Sequence, residues 1–123
     1  MPGAVAIEQL RAGQARTDGE RTMTRTQRAR TEPAPRFALG RLTATPGALD
    51  RLTRDELRSF IERHRTGDWG DCTPEDWAAN DRAAEARHGG RLLSVYHTAN
   101  GAKVWVITEA GRHSTTVLLP HEY

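Results

Sequence analysis

The chain of 123 residues contains one cysteine, Cys72, and one lysine, Lys103, and it nowhere strings together the roughly 18 apolar residues of a membrane span. A lone cysteine excludes an internal disulfide and any multi-cysteine zinc module. Nothing beside Cys72 would lower its pKa except the helix start that follows, so it reads as an inert small residue. The opening MPGAVAIEQLRAG has no basic stretch ahead of an apolar one, so neither a signal peptide nor a membrane segment is expected, and the expected location is the cytoplasm. Two phosphate-binding motifs are missing as well: GxxxxGK[ST], and GxGxxG after a strand. No nucleotide cofactor is therefore expected. His97, His113 and His121 lack zinc-type spacing and no paired carboxylates stand with them, so no metal is expected either.

The basic charge, almost all arginine, is unevenly placed. Residues 1–36 carry seven arginines against four acids, a net +3, whereas residues 37–123 come to −1. Residues 11–36 hold almost no large apolar side chain and end in Pro33 and Pro35, too little to repay the entropy of ordering. Two parts follow: a disordered Arg/Thr-rich tail over 1–36 and a single domain over 37–123. Translation starting at Met23 would drop 22 residues without touching the predicted core. A tail of this kind could hold phosphate or an acidic partner, but the domain has no net positive field of its own.

From Phe37 the texture changes. Phe37, Leu39 and Leu42 predict a short extended segment or edge strand. Thr45-Pro46 then starts a short helix with Ala48, Leu49 and Leu52 inside. Thr53 to Glu56 is a capping box, followed by Leu57, Phe60, Ile61 and His64 at the spacing of one helical face. Thr73-Pro74 opens a third helix with Trp77, Ala78, Asp81, Ala84 and His88 on one face. It is only weakly apolar, so it should cover a sheet edge or groove more than fill the core. Three strands complete the chain, 91–97, 103–108 and 114–119, with Asn100-Gly101 predicting a type I′ hairpin turn. The fold class is α+β: a short strand, two to three helices, then a three-stranded antiparallel meander with helices on one face.

Two polar constellations carry the candidate chemistry. Around Arg63 to Asp71, His64 continues an apolar stripe and could cap its helix or act as an acid or base, while Asp68 and Trp69 form a turn. Between the last two strands, Glu109, Arg112, His113, Thr115 and Thr116 crowd a short loop. Cleaving RNA without metal needs a base, an acid and a cation for the phosphorane charge. Glu109 or His113 could be the base, His64 or His113 the acid, Arg112 or Lys103 the cation, and Thr115 or Thr116 a phosphate donor. The alternative is a Glu109–Arg112 surface ion pair across a turn. Binding would instead use Asp68, Trp69, Asn80, Glu109 and Arg112, if the two constellations face each other across a groove.

Residues 63–71 (RHRTGDWGD), Asn80, 90–96 (GRLLSVY) and 104–123 (VWVITEAGRHSTTVLLPHEY) resemble a family of small bacterial proteins labelled plasmid-related, some of which carry the label type I restriction enzyme subunit M. The resemblance covers about 37–123 and excludes the tail. It implies an accessory protein of mobile elements or restriction and defence systems, and it brings no catalytic residues with it. Gly111, His113 and His121 depart from the family's usual residues, which weakens a role for His113. The chain is not a methyltransferase, for it lacks the glycine-rich cofactor loop and the Asn/Asp-Pro-Pro-Tyr/Phe motif. Helices followed by a meander with a Thr-rich last strand are similar in layout to barnase and colicin-type ribonucleases, an analogy of fold alone. Three functions are expected in turn: an accessory protein binding a protein or nucleic-acid partner, a metal-independent ribonuclease or degenerate relative, and a nucleic-acid binder acting through the tail. Monomer and homodimer both stay open.

Overall fold

The computed structural model describes residues 3–7, 34–86 and 89–123. Most of the expected tail, and His88, lie outside them. The described part of the tail is structured at both ends: Val5–Ala6 forms a strand, Ile7 is buried beside it, and Arg36 pairs with Asp81 at 3.0 Å. Residues 3–7 are thus part of the fold, because Val5, Ala6 and Ile7 can add to an open sheet edge.

The elements are β1 (Val5–Ala6), β2 (Arg41–Ala44), α1 (Pro46–Arg51), α2 (Arg54–Arg65), α3 (Pro74–Glu85), β3 (Leu92–His97), β4 (Lys103–Thr108), β5 (Ser114–Leu118) and a closing 3-10 turn, Pro120–Glu122. The class is α+β, as the residue patterns predict. The sheet differs in its strand count: five strands in the order β1-β2-β5-β4-β3, with β2 parallel to β5 and every other pairing antiparallel. A hairpin cannot join parallel neighbours, so all three helices fall within the long crossover from β2 back to the meander.

Each helix begins where its cap predicts. Thr45, Thr53 and Thr73 each accept an N–H from three residues on, and Glu56 returns the bond to Thr53. The second Glu56 oxygen takes the Ala99 N–H at 2.8 Å, tying the β3–β4 hairpin to the start of α2. That hairpin is not type I′. Gly101 has φ +90°, and among the described residues Arg112 is the only non-glycine with positive φ, so Asn100 is not left-handed. The Thr98 N–H donates to the Ala102 carbonyl and its hydroxyl accepts the Ala102 N–H, closing a three-residue loop with glycine in the left-handed position.

Register decides the buried face. Leu92, Ser94 and Tyr96 align with Thr108, Val106 and Val104, and these with Thr115 and Val117, which oppose Leu42 and Ala44. This inner face meets Ala48 from α1, Leu52 just after it, and Leu57, Phe60 and Ile61 from α2 in the main core. Leu93, Val95, Trp105, Ile107, Thr116 and Leu118 belong to the outer face. The closing turn is held by Glu122, whose carboxylate accepts the Thr45 hydroxyl and the N–H groups of Gly47 and Leu119. Burial would raise the Glu122 pKa, but these hydrogen bonds outweigh it and hold the carboxyl below its ordinary value.

Candidate functional site

His64 is the last inward residue of α2 and is closed to solvent, at 0% exposure. Its Nδ1 lies 2.6 Å from the Ser94 hydroxyl and its Nε2 lies 2.8 Å from the Thr108 hydroxyl. Thr108 continues to Thr115 at 2.6 Å, and Thr115 donates to the Leu39 carbonyl at 2.8 Å. A carbonyl only accepts, so the proton directions can be read back from that end. Thr115 spends its proton on Leu39, Thr108 therefore donates to Thr115, and Nε2–H donates to Thr108. This leaves Nδ1 unprotonated to accept from Ser94. Burial, helped by the positive charge of Arg112, depresses the His64 pKa to about 3. At neutral pH it is a neutral, fully bonded link between α2 and strands β3, β4 and β5.

Arg112 sits in the β4–β5 loop at φ +60°. Its guanidinium donates to the carbonyls of Ala83 (2.8 Å), Gly90 (2.9 Å), Glu109 (3.2 Å) and Ala110 (3.4 Å). Ala83 lies in the last turn of α3, where a cation is favoured by the helix dipole. The side chain thereby ties the loop to α3, and no ion pair with Glu109 forms among the described residues. Arg112→Ala should lose these bonds while keeping a Cβ at a left-handed position, and Arg112→Gly should lose the same bonds without that strain. In urea titrations both should fall below wild type, by roughly 2 kcal/mol, with the glycine variant about 1 kcal/mol the more stable. An alanine variant equal to wild type would remove the bracing role.

The turn residues are engaged too. Asp68 accepts from Arg63 Nε at 2.8 Å and from the Gly70 N–H at 3.1 Å, and Arg63 first among these holds its carboxyl below the ordinary value. Trp69 is fully buried, donates Nε1–H to Asp81 at 2.9 Å, and stacks on Phe37 at 5.9 Å. Asn80 acts as a surrogate strand: its amide donates to the Leu93 carbonyl at 2.8 Å and its oxygen accepts the Leu93 N–H at 3.3 Å. Beside it, Val95 N–H donates to the Trp69 carbonyl and the Val95 carbonyl accepts the Asp71 N–H at 2.7 Å. The free edge of β3 is therefore closed without another strand, which blunts edge-to-edge association.

The turn and the loop do approach one another, but Phe37 fills the space between them. Its ring stacks on Trp69, meets the edge of His64 at 5.2 Å and carries the Arg112 guanidinium at 5.8 Å. Aromatic and small residues alone do not distinguish such a wedge from an edge strand. Thr115 and Thr116 part company: Thr115 lies inside, whereas Thr116 lies on the outer face and bonds Thr43 at 2.8 Å. Lys103 is exposed at the far end of β4, about 17 Å along the strand from Thr108. Glu109 is half-buried in the loop, and His113 is exposed. Of the groups expected for RNA cleavage, His64 and Thr115 are sealed in the core, Lys103 and Thr116 lie apart from them, and Glu109, Arg112 and His113 share the β4–β5 loop.

Two features were missed at the level of sequence. Ser94 completes the His64 network, and its signal was a hydroxyl alternating with Leu92 and Tyr96 on a core face. Trp105, Tyr123 and Arg91 form an outer-face group: Tyr123 meets Trp105 edge-on at 5.9 Å, and Arg91 lies 5.2 Å from the Tyr123 ring centre and bonds its hydroxyl. Among the described residues no group of three or more His, Cys, Asp or Glu is placed to hold a metal, and no helix is long and apolar enough to cross a membrane. No family model, curated protein or solved structure matches this chain.

Proposed function

We propose that the chain is a non-enzymatic accessory protein of mobile elements or restriction and defence systems, working by binding a partner. The observation that carries this reading is the internal use of the reactive groups. His64 is neutral and sealed, Arg112 is spread over four carbonyls, and Asp68, Trp69 and Asn80 hold the turn and the β3 edge. General acid–base catalysis needs a titrating group within reach of substrate, and a histidine with a pKa of about 3 in the core is poorly matched to that work. The genomic setting rests on the resemblance carried by residues 63–71, 90–96 and 104–123.

Purified protein incubated with labelled single-stranded and duplex RNA should leave both intact over hours at neutral pH. Cleavage that survives further purification and disappears in a folded Arg112→Lys variant would establish the ribonuclease reading instead.

A further inference from the structure

We infer that the outer face of the sheet is a docking surface for single-stranded nucleic acid, with Trp105 and Tyr123 stacking bases and Arg91, Lys103 and Arg41 holding phosphates. This rests on the reading of the protein as a non-enzymatic binder and names its partner and surface. The helices α1 and α2 build their core against the inner face, so the outer side chains of β2, β5, β4 and β3 are committed differently. On that side Ile107 and Leu118 are closed to solvent, Trp105 is half-buried and Tyr123 is 59% exposed. Tyr123, edge-on to Trp105 and 59% exposed, offers open stacking surface beside the half-buried Trp105 ring.

The charges are arranged around them. Lys103 is two residues from Trp105 on the same face of β4, and Arg91 lies against Tyr123 at the opposite end. Arg41, opposite Ser114 on β2, flanks the Arg91 end. All three are exposed, and none makes an ion pair among the described residues. Of the carboxylates near these residues, Asp71 is engaged by His97 at 2.7 Å and Glu122, next to Tyr123, accepts from Thr45, Gly47 and Leu119. Lys103, Trp105, Tyr123 and Arg91 thus follow one another in a contiguous order, with Lys103 two residues from Trp105, Trp105 against Tyr123 and Tyr123 against Arg91. That order matches a strand whose phosphates and unstacked bases present alternating charge and flat apolar surface. A duplex buries its base faces and so could use the cations alone.

The test is fluorescence anisotropy with the full chain, titrated into a labelled 12-nucleotide oligothymidine and into a duplex of equal length. Preferential capture of the single strand is expected. Its log K against log salt slope should be about −2, from roughly 0.7 per phosphate held by three cations. Trp105→Ala and Tyr123→Ser should each weaken capture at least about fivefold, and Trp105→Phe should restore much of the loss. Lys103→Glu should weaken it and flatten the salt slope. Thermal melts of the same variants must match wild type within a few degrees. Trp69 is fully buried and Trp77 is bonded to the Gly70 carbonyl, whereas Trp105 lies on the proposed surface, so quenching of tryptophan emission on binding should be largely lost in Trp105→Phe.

Equal binding of duplex would overturn the inference. So would capture unchanged in Trp105→Ala and Tyr123→Ser, or capture abolished by replacing Arg25, Arg28 and Arg30 with glutamine, since the tail would then be the binder. Labelled RNA in parallel tubes separates the two readings. Cleaved RNA overturns the non-enzymatic function, whereas intact RNA with no single-strand capture overturns only the docking surface.

Discussion

Gly70→Ala should cost about 3 kcal/mol or more in urea or thermal unfolding. Two independent causes act at the position. Gly70 has φ +77°, where a side chain costs roughly 1–2 kcal/mol. A Cβ there would also stand 2.0 Å from the Val95 carbonyl oxygen and 2.6 Å from the Tyr96 ring. Relief requires the turn to withdraw from β3, and this breaks the bonds of Val95 with Trp69 and Asp71, each worth about 1 kcal/mol. The Tyr96 hydroxyl, which donates to the Asp68 carbonyl at 2.6 Å, would be displaced with it. Amide exchange should show the damage first at Leu93 and Val95. A variant as stable as wild type, with those amides still protected, would mean that the 68–71 turn does not hold the edge.

The stability of the protein should fall as pH drops from about 6.5 toward 3, and His64 should account for much of the slope. The unfolded chain takes up this proton near its ordinary pKa of 6.5, and the folded chain only near 3. Between these values the unfolded state holds more proton, so acid favours unfolding by up to about 1.4 kcal/mol per pH unit. Above pH 6.5 the contribution is complete and constant. Asp68, Asp81, Glu56 and Glu122, whose pKa values are all lowered, add their own losses only from the ordinary carboxylate range downward. The window from pH 6.5 to 5 is therefore the cleanest for His64. In urea titrations there, His64→Gln should be less stable than wild type at pH 7 but nearly independent of pH. A wild-type curve flat across that window would disprove a neutral histidine buried in the core.

Much of the fold was legible because its signals are local. Thr45-Pro46, Thr53 with Glu56, and Thr73-Pro74 each contain the chemistry of a helix start in a few adjacent residues. Alternation in 92–97 and 103–108 contains that of paired strands. The weak apolar content of α3 pointed correctly to a helix lying along a sheet edge. Alternation could not say which face is inside, since residues with the same hydropathy stand on both. Nor could it show that β2 would lie parallel to β5, a pairing of residues about 73 positions apart in the chain.

The candidate site was legible only as a supply of residue types. Asp68, Trp69 and Arg112 are polar or aromatic residues in loops and Asn80 is a polar residue on a helix, and such residues serve equally well as ligand contacts or as braces for backbone groups. What separates the two roles is whether their hydrogen bonds end on the protein. That depends on contacts between Asn80 and Leu93, Arg112 and Ala83, and Trp69 and Asp81, all brought together by packing.

Taken alone, the sequence determined the α+β class, the three helix starts and the strands of the meander, because each depends on residue types within a few positions. The tertiary structure alone decided that His64 is a sealed neutral link, that Phe37 fills the space between turn and loop, and that Trp105, Tyr123 and Arg91 share the outer face. Those are outcomes of burial and register between distant segments, where the energy lies in contacts that no local pattern contains.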